Sequence, residues 1–307
     1  DFHLFQPRPA YRFLPREGKN SQPDDPAAGE NPTSGASLNF FLGQGTESRA
    51  QIIITTESGE HVRTLSTTGT GGLNRVFWDL RYESSSTPRL RTRPLEHSHR
   101  EVGPSGWRPP PDGGVVRPLA VPGVYQVTLV LAGHEEQSVS LEVLQDPESS
   151  ASASDMEAQL NLQLELRELS DSTGALIDRI EWTRKSLEDL KDRLAGDPGY
   201  SDIVNAGEML DQLLIELEMG LFDLRLTGGS ARQDTIRWPR QLWAKLSSLS
   251  GYSSGSDNRP TDQMLEIRTI YRQRVMDSLL RWAEIAASDL ARFNQVLAEQ
   301  GLPPIIS

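Results

Sequence analysis

Apolar positions change their spacing once along the chain, near Pro147. Before it they alternate with polar residues over short runs at 37–42, 51–56, 61–65, 73–80, 124–131 and 138–144. A period of two predicts half-buried strands. Val76 and Trp78 fall on one face and Phe77 on the other; Tyr125, Val127 and Leu129 alternate with Gln126, Thr128 and Val130, and Val139, Leu141 and Val143 face inward. Ser58-Gly59 reads as a hairpin turn and Pro122-Gly123 as the entry to a strand. Six or seven short strands separated by turn signals predict a β-sandwich.

After Pro147 the spacing becomes three and four. Ser154-Asp155-Met156-Glu157 reads as a capping box. The helix it opens carries Met156, Leu160, Leu164, Leu169, Leu176, Ile180, Leu187, Leu190 and Leu194, and should end near Gly196. A second seam runs through Ile203, Ala206, Leu210, Leu213, Leu217, Leu221 and Leu224 to Gly228-Gly229. Pro239 suits a first helical position and opens a shorter helix with Leu242, Trp243 and Leu246 inward. After a polar loop at 251–258, Pro260-Thr261 starts a long helix bearing Met264, Ile267, Tyr271, Val275, Leu279, Trp282, Ile285, Leu290, Phe293 and Leu297. Such helices joined by tight turns predict an antiparallel helical bundle. The expected class is therefore multidomain β + α. Its parts are an extended proline-rich arm at 1–35, a sandwich at 36–147 with a long Arg- and Pro-rich loop at 81–119, a linker at 148–154, a bundle at 155–300 and a tail at 301–307.

Composition narrows the chemistry. Of 307 residues, 31 are Lys or Arg and 43 are Asp or Glu, a net charge of -12 that argues against a nucleic-acid partner. No cysteine is present, which excludes disulfides and thiolate metal sites. No run approaches the roughly 18 apolar residues of a membrane span. The first residue is Asp1 rather than Met, read as a removed leader or as a piece of a longer chain; both favour a periplasmic or extracellular location. Phe2, Leu4, Phe5, Tyr11 and Phe13 mark the arm as laid against a surface, because disordered tails seldom carry so many aromatics.

Resemblances enter on particular residues. The segments 52–54, Gly59, 62–65, 72–79 and 122–125 resemble the Ig-like domain of flagellar hook-capping proteins and of many secreted bacterial proteins, which implies an Ig-like sandwich anchored by Trp78. More widely, 9–13, 29–32, Gly35-Ala36, 73–81, 103–109, 178–182, 226–229, 237–239, Lys245-Leu246 and 260–263 resemble the C-terminal region of large secreted bacterial proteins with sortilin-type or sialidase-like BNR-repeat propellers. The glycosyl-hydrolase label such proteins often carry belongs to the propeller, and no Ser-x-Asp-x-Gly-x-Thr-Trp repeat occurs here.

Candidate reactive groupings are sparse. His97-x-His99 is the closest pair of histidines and lacks obvious further ligands nearby. Glu216 with Glu218, and Glu181 with Asp178, read as solvated or paired to Arg179 or Arg184 rather than as acid–base pairs. Thr227-Gly228-Gly229-Ser230 lacks a P-loop lysine and reads as a helix stop. Trp182, Trp238, Trp243 and Trp282 read as core or interface residues rather than a cofactor pocket. The expectation is thus no enzyme, no cofactor and no metal: an exported, non-catalytic scaffold or interaction protein, an accessory subunit stabilising a periplasmic membrane-associated complex, respiratory or photosynthetic for example. Its protein partners would touch Phe2, Phe5, Tyr11 and Phe13 of the arm, and Arg89, Arg91, Arg93, Trp107 and Arg108 of the loop. The alternatives are an accessory region of a sialidase-like propeller protein, or a carbohydrate-binding module using Trp107.

Overall fold

The computed structural model describes residues 2–14, 33–228 and 234–306. The expected arm prolines Pro15, Pro23, Pro26 and Pro32, the 29–32 segment and Gly229-Ser230 lie outside the described residues. The chain divides into two compact units. The first holds 1–84, 117–164 and 253–260; the second holds 85–116, 165–252 and 261–307.

Six strands form the first unit's sheet: β1 (Phe2–Leu4), β2 (Ala10–Arg12), β3 (Ala36–Thr56), β4 (His61–Trp78), β5 (Gly123–Leu131) and β6 (Gln137–Gln145). They lie in the order β1-β3-β5-β6-β2, with β4 paired along β3. All pairings are antiparallel except β2 with β6. The predicted sandwich is corrected: these strands make one curled mixed sheet, a half-barrel, and the Ig-like reading falls with it. The physical reason lies in two polar stretches. Residues 43–50 and 66–72 read as connections, yet both strands run through them and 47–50 pair with 67–70, so four expected short strands fuse into a hairpin of 21 and 18 residues. Register shifts between Leu42 and Glu47 and between Ile54 and Thr55 interrupt it, and bulges of this kind bend and twist a strand pair. Thr56 and Glu60 close the hairpin around Gly59, whose φ of +87° suits glycine.

One face of the sheet is dry. Leu38, Phe40, Ile52, Ile54, Val62, Trp78, Val127, Leu129 and Leu141 are all buried there. Trp78 donates its indole N–H to the Arg81 carbonyl at 2.9 Å and meets Tyr125 edge-on, with ring centroids 5.2 Å apart. Leu160 and Leu164 of the following helix pack against this core, taking the place a second sheet would fill. Two pieces of the expected arm, β1 and β2, are strands of the sheet.

The helices are α1 (Ala153–Leu194), α2 (Ser201–Leu221), α3 (Asp234–Arg237), α4 (Leu242–Ser253), α5 (Asp262–Ile285) and α6 (Ala291–Glu299). α1 contributes residues to both units. Its cap sits two residues before the expected one: Ser152 Oγ accepts from the Asp155 amide, and the Asp155 carboxylate accepts from the Ser152 amide and hydroxyl. Ion pairs Lys191–Glu208, Arg184–Asp211 and Arg184–Glu218 run in opposite senses along α1 and α2, so the two helices are antiparallel. α2 stops at Leu221, short of the expected Gly228, because Phe222 turns extended (φ -147°, ψ 140°) and is itself buried. α4 starts at Leu242 rather than Pro239 and continues through Gly251 into the expected flexible loop. Thr261 caps α5 by accepting from the Met264 amide.

α5 and α6 are joined by a π-helical turn at Ala286–Leu290. The sequence explains it. Buried Val275, Trp282 and Ile285 step by seven and three, but the next buried residue, Leu290, comes five later. A π turn absorbs one additional residue, so Leu290, Phe293 and Leu297 stay on the packed side.

Candidate functional site

In the first unit an arginine occupies the core. Arg12 is 1% exposed and donates to the Ala120 carbonyl at 2.8 Å, to Gln159 Oε1 at 3.2 Å and to the Asp257 carboxylate. Asp257 also accepts from Ser149 Oγ at 2.9 Å, and Gln159 donates to the Ser253 and Ser256 carbonyls. One guanidinium therefore ties together β2, the approach to β5, the start of α1 and the 253–260 segment. Burying such a pair is costly, and here each of the three guanidinium nitrogens finds an oxygen.

The opposite, outward face of the same sheet carries large apolar side chains. His3 of β1 stands opposite Phe41 of β3, and Phe41 stands opposite Leu73 of β4. Phe77 follows on the same face of β4, and Phe5 lies against His3 edge-on, with ring centroids 4.7 Å apart. Leu73 is 66% exposed, and Phe5 and Phe77 are also exposed. At the β2 edge, exposed Tyr11 stacks on exposed Phe13 with centroids 5.8 Å apart.

In the second unit a cluster of charges is buried. Glu181 and Glu218 are each 0% exposed, and Arg184 is 3% exposed. Arg184 donates to Glu218 Oε2 at 3.0 Å, to Asp211 at 2.9 Å and to Thr92 Oγ1 at 3.1 Å. Glu181 accepts from the Arg91 amide, from the Thr92 amide at 2.7 Å and from the Thr92 hydroxyl at 2.9 Å. Arg108 adds a second cation, donating to the Thr92 and Leu226 carbonyls. Burial alone would lower the Arg184 pKa, but Glu218, Asp211 and Glu181 together raise it. Burial lowers that of Arg108, offset in part by Glu181 and Glu218. Glu218 is pushed well above the ordinary carboxylate value, first by burial and then by the charge of Glu181.

Residues 85–116 are sewn to α1 by further bonds of the same kind. Asp171 accepts from the Ser86 amide and hydroxyl, and Asp178 accepts from the Arg89 amide and the Arg91 guanidinium. Seen this way, the α1 carboxylates are anchors for loop backbone. Nearby, Trp182 is 55% exposed, contrary to the expected core placement, and the Arg91 guanidinium lies over its ring at 4.2 Å. Trp182, Arg179, Ser186 and Pro303–Ile306 line an open groove of about 910 Å³. Asn294 ties that tail down, exchanging hydrogen bonds of 2.8 and 2.9 Å with the Ile305 peptide.

The residues expected to meet a partner thus fall into three groups. Phe5, Tyr11 and Phe13 are exposed on the sheet, whereas Phe2 is half-buried against His134. Arg91 is buried, Arg108 is largely enclosed, and Arg89 covers Trp107 at 5.2 Å. Arg93 is exposed. Sequence reasoning missed Arg12, Leu73 and the depth of Glu181 and Glu218. The expected seam through Ala206, Leu213 and Leu217 is corrected: the buried face of α2 runs through Gly207, Leu214 and Glu218, one residue further on, so Glu218 fell off the predicted seam. His97 and His99 meet edge-on, and no group of three or more metal-ligating side chains occurs among the described residues. No helix among them is long and apolar enough to cross a membrane.

No family model matches the chain, and no curated protein does. Among solved structures it is similar to one described as pT26-6p, at 11% identity over 81% of this chain and 46% of that one; the TM-score of 0.17 carries no argument. The chain spans about half the length of that structure.

Proposed function

We propose that this chain is a non-catalytic interaction protein, an accessory subunit that attaches to a larger protein assembly through the outward face of its sheet. The observation that carries the reading is the alignment of Phe41, Leu73 and Phe77 by strand register, with Phe5 beside them against His3, on a face that water reaches. Exposed apolar side chains grouped in this way favour a partner that removes them from water. The charge clusters support the same reading from the other side: Arg12–Asp257 and Arg184–Glu181–Glu218 are consumed in holding loops and helices together. The resemblance to regions trailing bacterial propellers agrees with an exported accessory role.

Leu73→Glu with Phe77→Glu tests it. Both side chains are exposed, so thermal stability should stay within about 1 kcal/mol of wild type. A photo-crosslinker placed at Leu73 in the native cell should give one discrete adduct, absent when it is placed at exposed Ser138 and lost in the Phe77→Glu background. A Leu73 crosslinker that returns only the uncoupled chain would overturn the proposal.

A further inference from the structure

Glu218 occupies a core position of α2, four residues after Leu214 and three before Leu221, all buried. A carboxyl group in such a place needs partners for both oxygens. Arg184 satisfies Oε2 at 3.0 Å. Oε1 is enclosed and meets no donor among the described residues. The Glu181 carboxyl shares the same cation: Arg184 Nη1 lies 3.0 Å from Glu218 Oε2 and 3.6 Å from Glu181 Oε1. Two carboxylates that close repel unless one carries a proton, which then bonds them.

The surrounding charges say which one. Glu181 already accepts from the Arg91 amide, the Thr92 amide and the Thr92 hydroxyl. Glu218 accepts from Arg184 alone among the described residues and has an oxygen to spare. From α1 the facing groups are Glu181, Arg184 and, further out, Glu188; from α2 itself, Asp211; from the 85–116 segment, Arg108, with Arg91 turned toward Asp178. Beyond the end of α2, Asp223 and Arg225 pair with each other. At the centre, cations Arg184 and Arg108 balance anions Glu181 and Asp211 only when Glu218 is neutral.

We propose that Glu181 and Glu218 hold one proton between them, and that this proton latches α2 to α1, so that rising pH loosens the two helices where Glu218 meets Glu181. This goes beyond the interaction role and does not depend on it. Its sign follows from linkage. Burial and the Glu181 charge raise the Glu218 pKa in the folded chain, so the folded state holds a proton that the unfolded state gives up. The stabilisation is complete below the unfolded carboxyl value of about 4.3 and is lost as pH rises through the raised one.

Hydrogen–deuterium exchange of the full chain tests this, followed on an α2 peptide containing Glu218 from mildly acidic to mildly alkaline pH, with intrinsic rates corrected. Protection should fall by up to about tenfold per pH unit, the limit for one proton. A peptide from β5 should not follow it. In Glu218→Gln the amide keeps the shape and donates to Glu181 permanently, so protection should become flat. Infrared spectra of the wild type should show a protonated carboxylic-acid stretch at neutral pH, a readout that needs no variant. Flat protection in the wild type, an unchanged slope in Glu218→Gln, or absence of that stretch at neutral pH would each overturn the latch.

Discussion

Arg12 and Glu218 break the same rule of burial and are rescued differently. Arg12 finds a fixed anion, Asp257, and neutral oxygens for its other donors. Glu218 finds a cation for one oxygen and, on the reading above, a proton for the other. Truncating a buried pair leaves a charge with no partner, which costs more than the pair itself contributes. Arg12→Ala should therefore destabilise the first unit by about 3–5 kcal/mol in urea unfolding followed by near-ultraviolet circular dichroism. A loss under about 1 kcal/mol would mean that Asp257 finds water instead. Neither residue was equally legible in sequence. Arg12 sits between Tyr11 and Phe13 in a strand of three residues, too short for a pattern to assign its face. Glu218 follows Leu217, and amphipathic reading takes the leucines at 213 and 217 as the packed stripe and credits the glutamate to the wet side.

At the scale of elements, local signals worked where one short motif decides the outcome. Ser58-Gly59 turned the hairpin and Thr261 capped α5 as expected. They failed where pairing over a distance decides it: nothing within 66–72 distinguishes a turn from an exposed ladder, since its partners at 42–51 supply the hydrogen bonds. Two outcomes follow for the helices. Deleting Ala287 should turn the π turn into ordinary helix and bring Ile285 and Leu290 to a spacing of four, leaving the melting temperature nearly unchanged. Deleting Ser278 should put Val275 and Trp282 out of phase and lower it sharply. The start of α1 should respond to acid. The Ser152 hydrogen bonds hold the Asp155 carboxyl below its ordinary value, so the cap is intact above that value and weakens as pH falls through the depressed one. Amide exchange in the first turn of α1 should quicken correspondingly, and Ser152→Ala should abolish the dependence.

At the scale of the whole molecule, the change of spacing at Pro147 marks a change of secondary structure and not the edge of a compact unit. The first 12 residues of α1 and the 253–260 segment belong with the sheet, and 85–116 belongs with the helices. Composition could not reveal this, because the segments meet through contacts far apart in sequence, among them Arg12 with Asp257, Gln159 with Ser253 and Glu181 with Thr92. The apolar outward face was half visible, in Phe5, Tyr11 and Phe13, and completed only by the register that brings Leu73 beside Phe41.

The Arg12–Asp257 bond also governs how the gene could be cut. A fragment ending at residue 147 would keep all six strands yet strand a guanidinium in the interior with neither Asp257 nor Gln159 to meet it. The first unit cut out by itself would therefore need the stretch from 253 to 260 grafted behind the opening turns of α1.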